Sequence, residues 1–461
     1  MFEVEQERID MLEAIEEFLT RKQFAQLRAL LATLEAPDVA ILMEDLSMEQ
    51  VPLVFRLLGK EDAAEVFVEL DSDQQELLIQ GFSNAELKDI LDEMYVDDTV
   101  DIMEEMPASV VKRILQHSDP QMRRSINELL KYPEDSTGSI MTTEFVDLKS
   151  DMTVSDAFRR IRLTGPDKET INIGYVIDVR RRLMGIVTIR QLLLAKPDEI
   201  IGDIMNSNPL SASTLDDQEA TARALAKYDF LALPVVDTEH RLVGIVTVDD
   251  AIDVLQEEVT EDMEIMAAIS PTDKPYLKSS IWETVKARTP WLLILMISST
   301  FTSQIISTFE DALAACTVLT IYIPMLMGTG GNCGTQASVT IIRGISLDEI
   351  DFSDIWDIVW KESRVAIGCG AFVGAANFIK LLVLDKWILG NDDITMQVAL
   401  VICLAMICTV LFAKLVGSTL PLLAKKLGFD PAVMAAPLLS TMVDAISLLI
   451  YFQIASMALG I

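Results

Sequence analysis

Long apolar stretches fill the last third of the chain, and charged residues interrupt them only rarely. Five such stretches cover residues 290–308, 313–341, 363–384, 395–422 and 431–459. A helix needs about 20 mostly apolar residues to cross the hydrocarbon core of a bilayer, and each stretch reaches or approaches that length. The pattern predicts an α-helical transmembrane domain of five helices over residues 289–461.

The first part of the chain has a different pattern, in which an apolar residue recurs every 12 positions. The recurring residues are Leu46, Leu58, Leu70, Phe82, Met94 and Met106. Helix-breaking or capping residues lie between them, as at Gly59, Asp71 and Ser83. One short helix per 12 residues predicts an all-α superhelical N-domain over residues 1–132, with an irregular helical domain as the alternative. This region shows no set of residues typical of a catalytic site, so we expect its function to be sensing or docking.

Residues 138–254 contain an internal duplication. Three landmark residues recur 59 positions later: Asp178 as Asp237, Leu183 as Leu242 and Gly185 as Gly244. Each copy has two apolar, strand-like runs around a polar turn, followed by a helix. The repeat resembles a tandem pair of cystathionine-β-synthase (CBS) modules. The resemblance implies an α/β tandem CBS domain that senses a nucleotide or another ligand.

CBS modules contact a ribose through the pattern Gly-apolar-apolar-Thr/Ser-x-x-Asp. The second copy keeps this pattern from Gly244 to Asp250, whereas the first copy has Gln191 at the aspartate position. The resemblance therefore implies ATP or another adenine nucleotide at one site at most, with Thr247, Asp250 and Arg190 as candidate residues.

An acidic helix follows the CBS pair and leads towards the membrane domain. Its acidic residues at three- and four-residue steps are Asp250, Asp253, Glu257, Glu261 and Glu264. This spacing places them on one helix face, where like charges repel each other. A solvated helix face is the ordinary interpretation of such a run. Its place before the membrane segments favours a regulatory role for the connecting region, residues 255–288.

Charge restricts the partners of the chain. It has 71 acidic and 37 basic residues among its 461, and a formal net charge of −34. Nucleic acid is not expected as a partner, because phosphate binding needs clustered Lys and Arg, whereas cations are natural partners. The N-terminus lacks the features of a signal peptide, and basic residues favour one side of the apolar stretches. We therefore expect an integral protein of the cell (inner) membrane, with cytoplasmic N-terminal domains and the C-terminus outside.

Asp444 is the main candidate for chemistry inside the membrane. An ionised carboxylate at mid-depth costs roughly 2.5–3.5 kcal/mol, so its presence needs a compensating interaction. An ion pair with Lys414 or Lys380 is one alternative, although depth along the segments argues against it; a passing cation is favoured. Ser440 lies one turn before Asp444 on the same face, and Pro437 predicts a kink that exposes carbonyl groups.

A glycine-rich segment in the second stretch supplies two further pore-lining candidates, Asn332 and Gln336, which lie one turn apart. The glycines between Gly328 and Gly334 permit either a local helix break that frees carbonyl groups or close helix packing. The sequence has no ATPase motif, so transport through this region is expected to be passive.

These features together resemble the MgtE magnesium channel family. The resemblance is carried by Pro324, by Asn332 to Gln336, by Pro437 to Asp444 and by the acidic stripe from Asp250 to Asp262. It implies a homodimer with its pore between two membrane domains, and a channel, not an enzyme. It also implies that Mg²⁺ binds in the pore at Asp444 and Ser440.

The same resemblance implies regulatory Mg²⁺ sites in the cytosolic part. The implied residues are Glu65, Asp97, Asp101, Glu219, Asp229, Asp250, Asp253, Glu258, Glu261 and Asp262. Mg²⁺ usually binds through one or two carboxylates and several waters, and one aspartate per protomer suits a largely hydrated ion. Cytosolic Mg²⁺ would screen the acidic faces, compact the cytosolic part and close the pore. The alternatives are a broader divalent transporter for Co²⁺, Mn²⁺ or Ni²⁺ and a non-conducting, membrane-tethered CBS nucleotide sensor.

Overall fold

The computed structural model describes residues 2–272, 276–277, 279–347, 349–434 and 436–460, which divide into two compact units. The first unit extends to Gln256 and the second begins at Glu257. The helices that open the first unit are α1 Phe2–Thr20, α2 Phe24–Leu31, α3 Ala36–Glu44, α4 Val51–Phe55, α5 Lys60–Glu69, α6 Ser72–Gly81, α7 Asn84–Leu91, α8 Val96–Glu105, α9 Ala108–His117 and α10 Met122–Leu129.

The 12-residue period is the repeat length of these helices. Helices α5 to α9 begin at Lys60, Ser72, Asn84, Val96 and Ala108, each 12 residues after the last. Helices alternate in their contacts, since α3 packs on α5, α5 on α7 and α7 on α9, while α4 packs on α6. This stacking of every second helix gives the predicted superhelix.

Side-chain capping fixes the start of two of the repeats, α6 and α7. Asp71 caps α6 by accepting a hydrogen bond from the Gln74 amide, and Ser83 forms a capping box with Glu86 at the start of α7. The periodic apolar residues turn inward: all of them are buried except Leu58, which is partly buried. The pattern therefore records one core residue per helix, with a side-chain cap at α6 and α7, whereas α5, α8 and α9 begin without one.

Two small sheets follow, one for each copy of the duplication. Their elements are β1 Val146–Leu148, α11 Val154–Thr164, β2 Ile173–Ile177, β3 Leu183–Thr188, α12 Ile189–Leu194, α13 Ile201–Ile204, β4 Ala212–Ser213, α14 Gln218–Tyr228, β5 Ala232–Val236, β6 Leu242–Thr247 and α15 Val248–Met266. In each sheet the first strand is parallel to the second, which is antiparallel to the third. The second hairpin repeats the first after 59 residues, as the sequence predicts.

Each copy packs closely against the hairpin glycine of the other copy. A Cβ on Gly244 would lie 2.6 Å from the Met141 sulfur, and one on Gly185 would lie 2.6 Å from the Asn206 carbonyl oxygen. The segment that opens each copy thus crosses the hairpin of the other copy. Only glycine allows this approach, which explains its return in both hairpins.

The second unit is helical. Its helices are α16 Ile281–Thr308, α17 Glu310–Ala315, α18 Val318–Ile321, α19 Ile323–Ser346, α20 Ile355–Lys380, α21 Met396–Leu427 and α22 Ala436–Leu459. Four segments of the described chain are long and apolar enough to cross a membrane: Ile281–Thr308, Phe352–Ile388, Met396–Leu427 and Pro431–Leu459. Helix α19 packs against both α21 and α22 and completes the bundle.

Two details differ from the sequence expectations. The stretch 313–341 is not one helix, because α17 and α18 precede α19, in whose first turn Pro324 lies. The stretch 431–459 is also divided: a 3₁₀ helix, Pro431–Met434, precedes α22, and Pro437 lies in the first turn of α22 instead of kinking it. Proline is accommodated in a first turn because its missing N–H would have no helical partner there.

Candidate functional site

The membrane candidate, Asp444, lies two turns into α22 and is partly buried. Ser440 precedes it by one turn, and its hydroxyl oxygen would lie 3.4 Å from a Cβ on Gly331 of α19. The structure thus brings Ser440 against the glycine-rich segment. Asn332 and Gln336 lie on an exposed face of α19, and no hydrogen bond joins either to Asp444 in the described chain.

Both lysines that could have neutralised Asp444 are paired with other carboxylates. The Lys414 Nζ lies 3.8 Å from Glu362 Oε2, and the Lys380 Nζ lies 2.9 Å from Asp385 Oδ2. In the part of the chain that the structure describes, no ion pair or hydrogen bond involves the Asp444 side chain. The structure therefore gives no support to the ion-pair alternative for Asp444.

Close packing, and not a helix break, is the role of the glycines in α19. The helix continues unbroken from Ile323 to Ser346, and Gly330, Gly331 and Gly334 are buried within it. A Cβ on Gly417 of α21 would lie only 2.3 Å from the Gly334 carbonyl oxygen. Small residues allow membrane helices to approach at this distance. Of the two alternatives that the sequence left open, the structure supports close helix packing and not a local break.

The first unit contains a second candidate site, in which six carboxylates from three parts of the chain lie close together. We call them the acidic cluster: Asp97, Asp98, Glu144, Glu169, Asp249 and Asp250. Asp97 and Asp98 are in the first turn of α8, and Asp249 and Asp250 are in the first turn of α15. Glu144 and Glu169 are held together because the Glu169 amide donates to the Glu144 carbonyl oxygen at 3.0 Å.

Burial and like charge raise the pKa of several of these carboxyls. Burial, followed by repulsion from Asp98 and Asp250, raises the pKa of Glu169 from 4.5 to about 8. Burial and the charge of Asp250 raise the pKa of Asp98 from 3.8 to about 6. The pKa of Asp97, which is 7% exposed, is raised well above its ordinary value, chiefly by burial. Ionising all of these carboxyls together therefore costs energy, which favours protons or a cation at the cluster.

Part of that cost is offset locally. The first-turn positions of α8 and α15 place four of the carboxylates near positive helix ends. The Val96 amide donates to Glu144 Oε2 at 3.3 Å. Within the described residues, however, Asp97 Oδ1 and Glu169 Oε2 are buried and accept no hydrogen bond. Such orphaned oxygens are where a cation or its bound waters would bind.

The cluster fits a hydrated cation better than a bare one. No group of three His, Cys, Asp or Glu side chains among the described residues has the geometry of a ready metal site. Mg²⁺ tolerates this, because it keeps several waters and needs only one or two direct carboxylates. Oxygen ligands alone also favour Mg²⁺ over softer metals.

Other predicted regulatory residues lie apart from this cluster or at its edge. Asp253 is largely exposed on α15. Its pKa is raised by the partial burial that remains and by the charge of Asp249. Glu65 is exposed on α5, and Asp101 is exposed on α8. Glu219 pairs with Arg223 on α14.

The remaining predicted residues lie near the ends of helices or on the connecting helix. Asp229 ends α14 in the left-handed conformation, with φ of 53°. Glu258, Glu261 and Asp262 are on the part of α15 that belongs to the second unit, where the Ser346 hydroxyl donates to Asp262 Oδ2 at 3.5 Å.

The nucleotide candidates are only partly assembled. The buried Thr247 hydroxyl donates to the Asp250 carboxylate, whereas Arg190 is exposed on α12 of the other copy. In that copy the Thr188 amide donates to Gln191 Oε1 at 2.8 Å, and the two residues form a capping box. At the position where the pattern expects aspartate, Gln191 thus completes the capping box of Thr188.

Sequence reasoning missed four members of the acidic cluster. Asp98 and Asp249 had a local signal, since each adjoins a predicted residue in the first turn of a helix. Glu144 and Glu169 had none, because each lies in a loop and reaches the cluster only through tertiary folding.

Comparison with known proteins is consistent across the chain. Family models match at residues 323–454 ("MgtE: Divalent cation transporter"), 34–135 ("MgtE intracellular N domain") and 138–198 and 201–257 ("CBS domain"). A magnesium transporter MgtE from Thermus thermophilus is 36% identical over 455 residues, which cover 98% of each chain. The chain belongs to the MgtE family.

Further relatives agree. A magnesium transporter MgtE from Bacillus subtilis is 32% identical over 93% of each chain. The crystal structure of the cytosolic domain of the Mg²⁺ channel MgtE in complex with ATP is 37% identical in sequence and matches with a TM-score of 0.51. It covers 53% of this chain and 99% of that one. The predicted multidomain MgtE architecture, with a helical N-domain, a CBS pair and a helical membrane part, is confirmed, and the MgtE family is a family of membrane transporters.

Proposed function

We propose that this chain carries Mg²⁺ passively across the membrane along a path that passes Asp444. The observation that carries the proposal is a partly buried carboxylate in an apolar helix whose two candidate lysines are both paired elsewhere. An intramembrane carboxylate with neither partner is stabilised best by a cation in the path. The full-length relatives named magnesium transporters support the choice of ion.

The pore is proposed to lie between two copies of the chain. Two Asp444 carboxylates related by a twofold axis would hold a hydrated Mg²⁺ without binding it too tightly for conduction. Ser440 would contribute its hydroxyl to the same site. The exposure of Asn332 and Gln336 in a single chain supports a role as lining residues that face the partner copy.

The acidic cluster is the proposed sensor of cytosolic Mg²⁺. Without the ion, carboxylates of α8 and α15 repel each other, as is indicated by the pKa values of Asp98 and Asp97, which burial and the charge of Asp250 raise. At about 4 Å such a pair repels by roughly 4 kcal/mol near a protein surface, and about 5.5 kcal/mol moves a two-state equilibrium almost completely. Bound Mg²⁺ would relieve the repulsion, compact the first unit and close the pore. Further Mg²⁺ contacts are proposed for the acids that lie outside the cluster. These are Glu65, Asp101, Glu219 and Asp229, together with Glu258, Glu261 and Asp262 on the connecting helix.

An adenine nucleotide is proposed to bind the second CBS copy at Thr247 and Asp250. The intact ribose pattern and the relative crystallised with ATP support this assignment. Asp250 would then belong both to the nucleotide site and to the acidic cluster, so nucleotide and Mg²⁺ binding would be coupled. The N-terminal domains are proposed to be cytoplasmic and the C-terminus to be outside.

Growth of a bacterium that lacks Mg²⁺ uptake tests the main proposal. The wild-type chain should restore growth at low Mg²⁺, and Asp444→Ala should not, although both accumulate in the membrane. Equal rescue by both would reject the assigned path. Competition of Co²⁺, Mn²⁺ and Ni²⁺ with Mg²⁺ uptake tests the broader selectivity that the words "divalent cation transporter" allow.

Patch-clamp recording tests the sensor. Currents of the wild-type chain should decrease as Mg²⁺ on the cytosolic face rises. Neutralising Asp97, Asp98 and Asp250 together should leave currents open at Mg²⁺ levels that close the wild type. An unchanged closure curve would reject the acidic cluster as the sensor.

A further inference from the structure

The pair formed by Lys414 and Glu362 is unusual for the interior of a membrane bundle. Lys414, on α21, is 6% exposed, and its Nζ lies 3.8 Å from Oε2 of Glu362 on α20. That distance exceeds the 2.7–2.9 Å typical of a charge-assisted hydrogen bond. Glu362 Oε2 is buried and accepts no hydrogen bond from any described residue. The two groups are therefore held by charge, without the supporting hydrogen bonds of a structural ion pair.

Lys380, another lysine of the second unit, forms an ion pair that hydrogen bonds support. Lys380 Nζ and the Tyr322 hydroxyl both contact Asp385 Oδ2, each at 2.9 Å. Asp385 thus has two partners and joins the end of α20 to the residue before α19. Among the described residues, Glu362 Oε2 has Lys414 alone within ion-pair distance, so its role is to balance the charge of that lysine.

Lys414 and Asp444 border the same part of α19. A Cβ on Gly334 would lie 3.3 Å from the Ala413 carbonyl oxygen and 3.3 Å from a methyl group of Val443. Ala413 directly precedes Lys414, and Val443 directly precedes Asp444. Lys414 and Asp444 thus lie near the same level of α19, contrary to the expectation from depth along the segments, and Lys414 is paired with Glu362 instead.

We propose that Glu362 is a positioning residue for transport: it holds Lys414 in a neutral pair and so keeps Asp444 available to the dication. This inference rests on the proposed function. Without Glu362, the ammonium would be a bare positive charge beside the Mg²⁺ path, and it would either attract Asp444 or repel the ion. Repulsion acts twice as strongly on a dication as on a monovalent ion.

The test compares four full-length chains in proteoliposomes: wild type, Glu362→Gln, Lys414→Met and the double variant. Mg²⁺ influx is read with an enclosed indicator dye, and folded protein is quantified by its melting temperature in detergent. Influx through Glu362→Gln should fall roughly tenfold or more, because the freed charge opposes the ion. Lys414→Met should stay within about twofold of wild type, since the bare Glu362 repels no cation. The double variant should recover to within about twofold of wild type, because the opposing charge is gone.

Each outcome decides the inference. Normal influx through Glu362→Gln, or a folded double variant that stays inactive, overturns it. If Glu362→Gln does not fold, the other two variants decide: a folded Lys414→Met chain with lost influx shows that the pair is only structural, and retained influx supports the inference. A wild-type chain without Mg²⁺ influx would instead reject the proposed function itself, so the two failures are distinguishable.

Discussion

The two units treat buried carboxylates in opposite ways. In the first unit, acidic residues are crowded together, and their mutual repulsion and burial raise the pKa values of Asp98 and Glu169. In the second unit, Glu362 and Asp385 each have a lysine, and Asp444 has neither lysine. The crowded arrangement stores repulsion that a bound ion can release, whereas the isolated one offers an ion a single weak contact.

This difference matches the tasks proposed for the two regions. A sensor must change its conformation when the ion binds, and a group of like charges gives a large change in energy. A conduction site must bind and release an ion rapidly, and additional carboxylates would slow its release. The number of carboxylates that lie close together thus distinguishes the two tasks, and mutations can change it in either unit.

The largest expected effect is at the isolated site. Asp444→Asn keeps the size of the side chain and removes its charge, so Mg²⁺ uptake should fall by about tenfold or more, because the negative charge that offsets the cost of the dication at that depth is gone. Isotope or dye uptake in whole cells measures this. Asp392→Asn, in the exposed segment before α21, is the matched control and should behave as wild type. Equal uptake by both variants would contradict the contrast between the units.

The second prediction concerns how the membrane unit holds its site in place. Gly417→Ala would put a methyl group 2.3 Å from the Gly334 carbonyl oxygen, so α19 and α21 must separate. Overpacking of this kind costs about 1–3 kcal/mol. Thermal unfolding of the full chain in detergent should show the loss. Gly368→Ala, whose Cβ would meet nothing within 4 Å, should unfold at the wild-type temperature.

The third prediction removes crowding from the first unit. Asp97→Asn combined with Asp98→Asn should raise the cytosolic Mg²⁺ concentration that half-closes the pore by roughly tenfold, since two of the charges that bind or sense the ion are gone. Patch-clamp titration measures the shift. Glu16→Gln, an exposed acid on α1, is the control and should leave the titration unchanged. A double variant that closes like wild type would show that the sensor lies elsewhere.

Local patterns predicted more of the fold than of the sites. The 12-residue period and the 59-residue repeat each correspond to a structural unit, because helix caps, turns and core positions are set largely by neighbours in sequence. Asp444 was also visible from sequence, because a charge in an apolar run is conspicuous. Pro437 was misread because its effect depends on where α22 begins, and the run of apolar residues conceals that start.

Only two of the six residues of the acidic cluster could be predicted. Asp97 and Asp250 came from a family resemblance, but Glu144 and Glu169 come together through tertiary contacts that leave no pattern in the sequence. The glycines of α19 were ambiguous for a similar reason. Close packing against Gly417, about 80 residues away, decides their role, and the sequence permitted a helix break equally well.

The smallest expected effect is the pH dependence of the first unit. Asp98 and Glu169 bind protons more tightly in the folded chain than in the unfolded one, because their folded pKa values of about 6 and about 8 exceed the ordinary 3.8 and 4.5. Their contribution to stability is therefore most favourable below about pH 4 and declines as pH rises through about 8. Without Mg²⁺, hydrogen exchange at α8 should accelerate between pH 6 and pH 8, after correction for intrinsic exchange rates.

Mg²⁺ should reverse that acceleration, and more strongly at pH 8 than at pH 6, because it competes with protons for the same oxygens. Glu169→Gln has no carboxyl to titrate near pH 8 and should show a smaller change in α8 protection over this range. If wild type and Glu169→Gln responded to pH identically, the buried charge of Glu169 would not be part of the stored repulsion. The contrast between a crowded sensor and an isolated conduction site would then have to rest on the remaining carboxylates of α8 and α15.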